Sequence, residues 1–493
     1  MNKKEISVIG GGVAGLTAAA TLAREGCSVN LYDKNEMPGG RASLMEIDGY
    51  TFDMGPSWYW MPQVFEEFFE SMGTSVKNEY DLIRLDPAYK VFFGTNDTVE
   101  IPADWNKLKD IFESIEDGAS SQLEKYMTEA AYKYQVGMDE FVWKPSKSVM
   151  EFAEWKVMKA LFRLDMFTSV KKHVNKYFTD PRLRQIMEFP VLFLGAAPAD
   201  TPALYSLMNY ADLKLGTWYP KGGMYEISKA MARVAEEAGV KIHCNAEVDR
   251  ILVQGKYTTG LRMKSGERVR SEGIIAAADY HHVDQHLLPS AYRQYSSKYW
   301  DKRKLAPSSL LYYLGVDGEI PELLHHNLFF DEDFDEHARI IYKTKEWPKT
   351  PLFYACCPSK TDPSVAPKGK ENLFLLIPLP PDLEDSDEER EKLFDFMMEK
   401  LEKYTGYPVR EHIEVKRAFA MRDFKSRYHS FKGNAYGLAN TLDQTAILKP
   451  SMHHKQISNL LFAGQLTTPG PGLPPSIISG RLAAQELIKQ IES

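Results

Sequence analysis

Cysteine is scarce: there are four in 493 residues, at Cys27, Cys244, Cys356 and Cys357. Two are adjacent and the others lie far apart, so neither a disulfide framework nor a paired metal-ligand spacing is present. Buried or incidental thiols of a reducing compartment fit that pattern, and no metal is expected. The chain has no block of Lys and Arg, and its net charge is −8. That excludes the basic patch a nucleic-acid partner demands. No apolar run reaches the roughly 18 residues that span a bilayer. The opening MNKKEISVIGGG imitates a secretory leader, but Glu5 and Ser7 interrupt its apolar part and glycines follow at once. It reads as a strand. The expectation is a cytoplasmic protein, soluble or held peripherally at the inner face of the membrane.

At 493 residues, the chain exceeds what one hydrophobic core covers, so two or three lobes are expected. Hydrophobic residues at 44% and charged residues at 26% are ordinary for a globular protein. Aromatics at 12% with 20 Met would suit a large apolar ligand, though a large core accounts for them too.

The chain starts as strand, glycine turn, helix, strand. EISVIG is a buried strand, AGLTAAATLAREG a helix stopped by Gly26, and CSVNLYDK a second strand. This βαβ unit predicts a parallel sheet. Residues 149–178 carry apolar residues at helical spacing, with Lys156, Lys159, Arg163, Lys171, Lys172 and Lys176 between them. Such helices can lie on an anionic membrane or form a cap with a solvated face. Around residues 219–253 the α/β pattern returns, which predicts a discontinuous first domain. The segment from SSLLYYLGV to LFLLIPLP alternates like strands of a second sheet. The expected division is a Rossmann-like nucleotide-binding domain of residues 1–85, 220–290 and 455–493. A mixed-sheet substrate domain takes 86–140 and 291–454, and a helical, membrane-facing cap takes 141–219. The fold class is α/β.

The strongest motif is Gly10-x-Gly12-x-x-Gly15, which follows a strand, opens a helix and is answered by Asp33 at the end of the next strand. Gly10 permits the turn, Gly12 the approach of a pyrophosphate, and Gly15 close helix–strand packing. The amides of Val13, Ala14 and Gly15 start a helix whose N-terminus favours anions. Asp33, with Lys34 beside it, can hold ribose hydroxyls. NEMPGGRASLMEIDGYTFDMGPSW then adds Gly39, Gly40 and Arg41. Two glycines allow close approach, and Arg41 brings a fixed fork of donors. A plain NAD dehydrogenase has no need of this extension, so FAD is the expected cofactor.

LLFAGQLTTPGPGLPPSIISG, residues 460–480, is the most turn-dense stretch of the chain. It reads as a last strand, a turn at Gly464, and an extended backbone pressed on the flavin. A final helix follows, with Pro475 at its first position and the Ser476 amide free to stabilise negative charge. Leu473 and Pro474 lie on the same approach.

Together these motifs resemble the bacterial-type carotenoid (phytoene) desaturase family over nearly the whole chain. The resemblance also covers FDMGPS with Pro56 and Ser57, YPKGGM, VDRIL, AAAD and NAYGL. It implies that Val248 meets the adenine end of FAD through its backbone and that Asp279 lies near the cofactor. Asp33 stands where Glu is commoner in the family, and GPGLPPS where many relatives have GAGIPGV. The implied activity introduces double bonds into a carotenoid substrate. That substrate is phytoene or a later, hydroxylated carotenoid desaturated at C3–C4. Oxygen or a quinone is the implied electron acceptor. No acid/base pair stands out, so no catalytic residue is assigned beyond the flavin. The histidines of DYHHVDQH, His281, His282 and His286, are read as a helix surface after a strand. The helices of 149–193 and the aromatic strand SLLYYLG are expected to line an apolar tunnel. An amine oxidase, a retinoid saturase, a carotenoid isomerase and a non-enzymatic isoprenoid binder remain alternatives on the same fold.

Overall fold

A computed structural model describes residues 3–144, 165–166 and 168–492. Much of the basic stretch 149–178, including Lys156, Lys159 and Arg163, lies outside the described residues. Five parallel strands form the first sheet, in the order Leu460–Phe462, Gly273–Ala276, Glu5–Ile9, Ser28–Tyr32 and Lys241–His243. Glu5–Ile9 is buried after its first residue, as a central strand covered on both faces must be.

Two helices cover one face: Val13–Arg24 and the final helix Leu473–Glu492. Both present small residues. Ala18, Ala19, Ala20, Ala483 and Ala484 are fully buried. A Cβ on Gly480 would sit 2.2 Å from the Ala14 carbonyl oxygen, so the two helices meet nearly backbone to backbone. A three-stranded antiparallel sheet, Val248–Gln254, Tyr257–Met263 and Arg268–Arg270, is appended.

The second large sheet has seven strands. In order they are Ile413–Phe419, Ser308–Asp317, Lys370–Leu379, Phe353–Cys356, His326–Phe329, Tyr89–Gly94 and Asp97–Ile101. Only the pairing of His326–Phe329 with Tyr89–Gly94 is parallel. Ser308–Asp317 and Lys370–Leu379 are buried almost end to end, because helix Asp387–Thr405 covers the face opposite the first sheet. That helix is capped by Ser386, whose side chain accepts from the Glu389 amide. Helices Ala119–Val136, Val170–Val174, Pro181–Glu188 and Leu207–Leu213 pack together at the other side of this sheet. Among the described residues, no helix is long and apolar enough to cross a membrane.

Candidate cofactor and substrate site

The first sheet ends in a cradle of backbone. Gly10 adopts φ +98°, and a Cβ there would meet the Ala278 amide nitrogen at 2.8 Å. Gly12 is the N-cap of the first helix and supplies no side-chain cap, so the first-turn amides of Val13, Ala14 and Gly15 face outward. The Gly39–Gly40 turn lies alongside: the Gly39 amide donates to the Gly11 carbonyl at 2.8 Å. A Cβ on Gly12 would meet the facing turn only at ordinary contact distance, Gly40 Cα at 3.9 Å. A Cβ on Gly464 would likewise find only ordinary contacts, at 3.9 Å. Gly464 lies against Ala14, so both ends of the chain meet at this cradle.

Arg41 follows Gly40 at the cradle. Its Nη2 donates to Ser430 Oγ at 3.2 Å, and its guanidinium lies 5.1 Å from the centroid of the Tyr428 ring. Its Nε is buried with no partner among the described residues. Burial lowers the Arg41 pKa and the nearby Asp279 raises it. Asp279 is pushed up to about 6 by burial, against the pull of Arg41 and of the His282 and Phe431 amides that it accepts. An underpaired buried cation beside backbone donors suits a diphosphate, so these residues fit FAD.

The remaining sequence candidates fall at different distances from this geometry. Asp33 is buried; Oδ2 accepts from the Gly11 amide at 2.6 Å and Oδ1 from the Asn35 amide at 2.7 Å. Each oxygen keeps a lone pair for a ribose hydroxyl. Val248 is buried at the start of its strand. Lys34 is turned away: its ammonium donates to the Ser426 carbonyl at 2.7 Å, so only its backbone is available to a ligand. The Ser476 amide is not free either. It donates to the Gly472 carbonyl at 3.0 Å, because the final helix begins at Leu473 and not at Pro475. Pro474 and Pro475 occupy first-turn positions that need no donor. The amide at the helix start is that of Leu473. The histidines of DYHHVDQH are not a bare helix surface. His281 stacks on Phe431 and His282 on His429, both at 3.9 Å, and burial drops their pKa values to about 4 and about 3.

Two couplings escaped sequence reasoning. FDMGPS and YPKGGM meet through Asp53, whose carboxylate accepts from the Met224 and Tyr225 amides at 2.7 and 2.9 Å. It caps helix Tyr225–Glu237 from a distant segment. NAYGL and AGQ meet at Asn434, whose Oδ1 accepts from the Gly437 amide at 2.8 Å, and at Gln465, whose side-chain amide donates to the Ala435 carbonyl at 3.2 Å. An Asp or Asn within two residues of a glycine was the available signal, but the segment it joins is non-local.

A narrow, partly open apolar cavity lies against the seven-stranded sheet. Its floor includes Leu328, Tyr354 and Leu376, and its walls include Phe189, Phe334 and Tyr436. The aromatic strand SLLYYLG does not line it. Tyr312 Oη donates to the Arg390 carbonyl and Tyr313 Oη to the Met54 carbonyl, both at 2.9 Å and away from the cavity. Only Pro307, just before that strand, reaches the wall. Tyr354 ties the cavity to the FDMGPS loop: its hydroxyl donates to Ser57 Oγ at 2.9 Å and contacts His326 Nδ1 at 2.7 Å. His326 stacks on Trp58 at 4.1 Å and approaches Cys356 Sγ at 3.6 Å. With His325 these residues form a buried His–His–Cys group that no sequence spacing announces.

Lys449 is buried under the C-terminal loop. It donates to Asn440 Oδ1 at 2.8 Å and to the Pro469 carbonyl at 2.7 Å. Burial brings its pKa down to about 7. The unfolded lysine, near 10.4, binds more protons between those values, so this group's penalty is full below about pH 7 and vanishes as pH rises toward 10. Thermal melts of the wild type and Lys449→Met are expected to diverge with pH. The wild type should gain on the order of 4 kcal/mol relative to the variant from pH 7 to 10. Parallel melting curves across that range would show that the ammonium stays charged throughout.

The parallel sheet, the glycine cradle with its buried arginine, and the last loop returning to that cradle define a flavin-dependent oxidoreductase of the dinucleotide-binding class. The sequence model for flavin-containing amine oxidoreductases matches residues 13–488, and the chain belongs to that family. Its cofactor is FAD. Over 494 aligned residues the chain is 40% identical to a carotenoid 3,4-desaturase of Haloarcula japonica, covering 100% of this chain and 99% of that protein. It is 34% identical to a zeta-carotene-forming phytoene desaturase of Myxococcus xanthus, covering 98% and 94%. An oxidoreductase of Methanosarcina mazei shares the fold, with a TM-score of 0.65 at 14% identity, covering 99% of this chain and 100% of that one.

Proposed function

We propose that this chain is an FAD-dependent carotenoid desaturase acting on a long polyene, either phytoene or a later, hydroxylated carotenoid desaturated at C3–C4. The observation that carries the reading is the 40% identity, across both full lengths, to a carotenoid 3,4-desaturase. The apolar cavity beside the FDMGPS loop supports it. Bound FAD would supply the two-electron oxidation, taking a hydride from one carbon while the neighbouring carbon loses a proton. The amides of Gly12–Gly15, Asp33 and Arg41 would hold the dinucleotide, with Pro56, Ser57, Val248, Asp279, Gly464, Leu473 and Pro474 around it.

The cavity aligns the polyene and keeps water out. Tyr354 fixes its wall to Ser57. His326 orients Tyr354 and does not serve as a base, because burial holds its pKa well below the ordinary histidine value. Reoxidation falls to oxygen or a quinone-like acceptor. The decisive assay uses FAD-loaded protein with liposomes holding phytoene or a hydroxylated monocyclic carotenoid. A red-shifted product spectrum identifies the substrate. Bound flavin with no shift from either would sink the reading and favour an amine oxidase.

A polyene of this kind resides in lipid, so the protein is read as peripheral on the cytoplasmic face. Lys171, Lys172 and Lys176 sit on the described part of the basic segment, and Lys171 pairs with the exposed Asp335. An exposed pair of that sort contributes little. Near an anionic surface each lysine is worth about 1 kcal/mol. Substituting Lys171 and Lys172 together by Gln should therefore weaken sedimentation with phosphatidylserine-containing vesicles by about tenfold or more. Unchanged sedimentation would remove these lysines from the contact.

A further inference from the structure

We infer that Tyr342 is the residue by which the cavity selects a polyene carrying an oxygen over a pure hydrocarbon. The inference rests on the desaturase reading of the same cavity. The lining is almost wholly apolar; of its other polar side chains, His337 and Tyr354 have hydrogen-bond partners and Tyr436 lies against Ser309. His337 accepts from the Leu352 amide through Nδ1 at 3.2 Å and meets the Pro378 carbonyl through Nε2 at 3.2 Å. The Tyr354 hydroxyl is committed to Ser57 and His326. The Tyr342 hydroxyl is buried and has no partner among the described residues. A phenylalanine would fill the same wall without leaving a dry donor, and a buried unpaired hydroxyl costs stability.

Burial, with Tyr436 nearby, drives the Tyr342 pKa upward, so the group stays neutral and keeps its O–H to donate. A hydrocarbon lying in the cavity leaves that donor unpaired. A hydroxyl or carbonyl oxygen on the polyene accepts from it. The donor is unpaired in the empty cavity as well, so a hydrocarbon changes nothing at Tyr342, whereas an oxygen on the polyene gains a bond.

The test compares wild type with Tyr342→Phe, which keeps the ring and the packing. Both are used as full chains loaded with FAD. Three polyenes of equal length, ending in a hydrocarbon, a hydroxyl or a carbonyl, are presented in liposomes. Binding is read by quenching of tryptophan fluorescence, and turnover by the product spectrum. The expected result is about a tenfold loss of affinity and of kcat/KM for the oxygen-bearing polyenes. The hydrocarbon should be unaffected, and the hydroxyl and carbonyl arms show which oxygen is preferred. Equal losses for all three, or no loss for any, overturn the role of Tyr342. Selective loss of binding in a protein that turns over none of the three would uphold Tyr342 and overturn desaturation.

Discussion

Gly12→Val is expected to give a folded protein that binds no FAD. A Cβ at Gly12 makes only ordinary van der Waals contacts with the facing turn, Gly40 Cα at 3.9 Å and Gly39 O at 4.0 Å. The backbone at Gly12, with φ −69° and ψ 174°, accepts any residue. The apoprotein thus has no reason to unfold, yet the diphosphate loses its approach to the helix amides. The variant should purify without the flavin absorption band, with FAD affinity down by more than a hundredfold and a melting temperature close to that of the wild-type apoprotein. Gly15→Val provides the contrast. Its Cβ would sit 1.9 Å from the Gly10 carbonyl oxygen, so it should fail to fold whether or not FAD is added. A Gly12→Val protein that retains stoichiometric FAD would move the diphosphate elsewhere.

Arg41→Met is expected to lose FAD affinity by about a hundredfold, the scale of a charge-assisted contact to phosphate. Its effect on the apoprotein should be small at pH 5, where Asp279 holds its proton, because the buried guanidinium leaves Nε unpaired among the described residues while Nη2 meets Ser430 and the Gln465 side-chain amide. The substitution also removes the one cation that lowers the Asp279 pKa. Asp279 should then titrate above about 6. The sign of the linkage follows. A carboxyl raised in the folded state costs stability above its folded pKa and nothing below its unfolded value. The apo variant should therefore lose stability from pH 5 to pH 8 more steeply than the wild type. Titrating apoprotein stability against pH, and FAD against each protein, separates the two effects. Unchanged FAD affinity would show that Arg41 faces no phosphate.

Most of what was legible in the sequence was local. Gly10, Gly12 and Gly15 follow a strand and open a helix, and the backbone there behaves as that order requires. The alternation in 308–379 marked a second sheet. The same strand, SLLYYLG, misled on function, because both of its faces are buried and periodicity carries no sign of which one meets a ligand. The final helix was placed two residues late, since either proline of a Pro-Pro pair suits a first turn. Asp53 as a helix cap, Gln465 as a latch and the cavity itself join segments more than 25 residues apart in sequence. Nothing in the local pattern encodes such meetings.

The strand Leu460–Phe462 lies next to Gly273–Ala276, which in turn pairs with Glu5–Ile9. During synthesis the nucleotide sheet therefore stays unfinished until some 450 residues after its first strand has left the ribosome. At about 5–20 residues per second that is a wait on the order of half a minute or more. An exposed parallel edge, the Gly-Ile-Ile-Ala strand of Gly273–Ala276, must be kept from other chains for that time. Flavin capture is consequently a late event of biogenesis. Scarce FAD or a truncated message would yield a chain whose half-built sheet is open to chaperones and proteases.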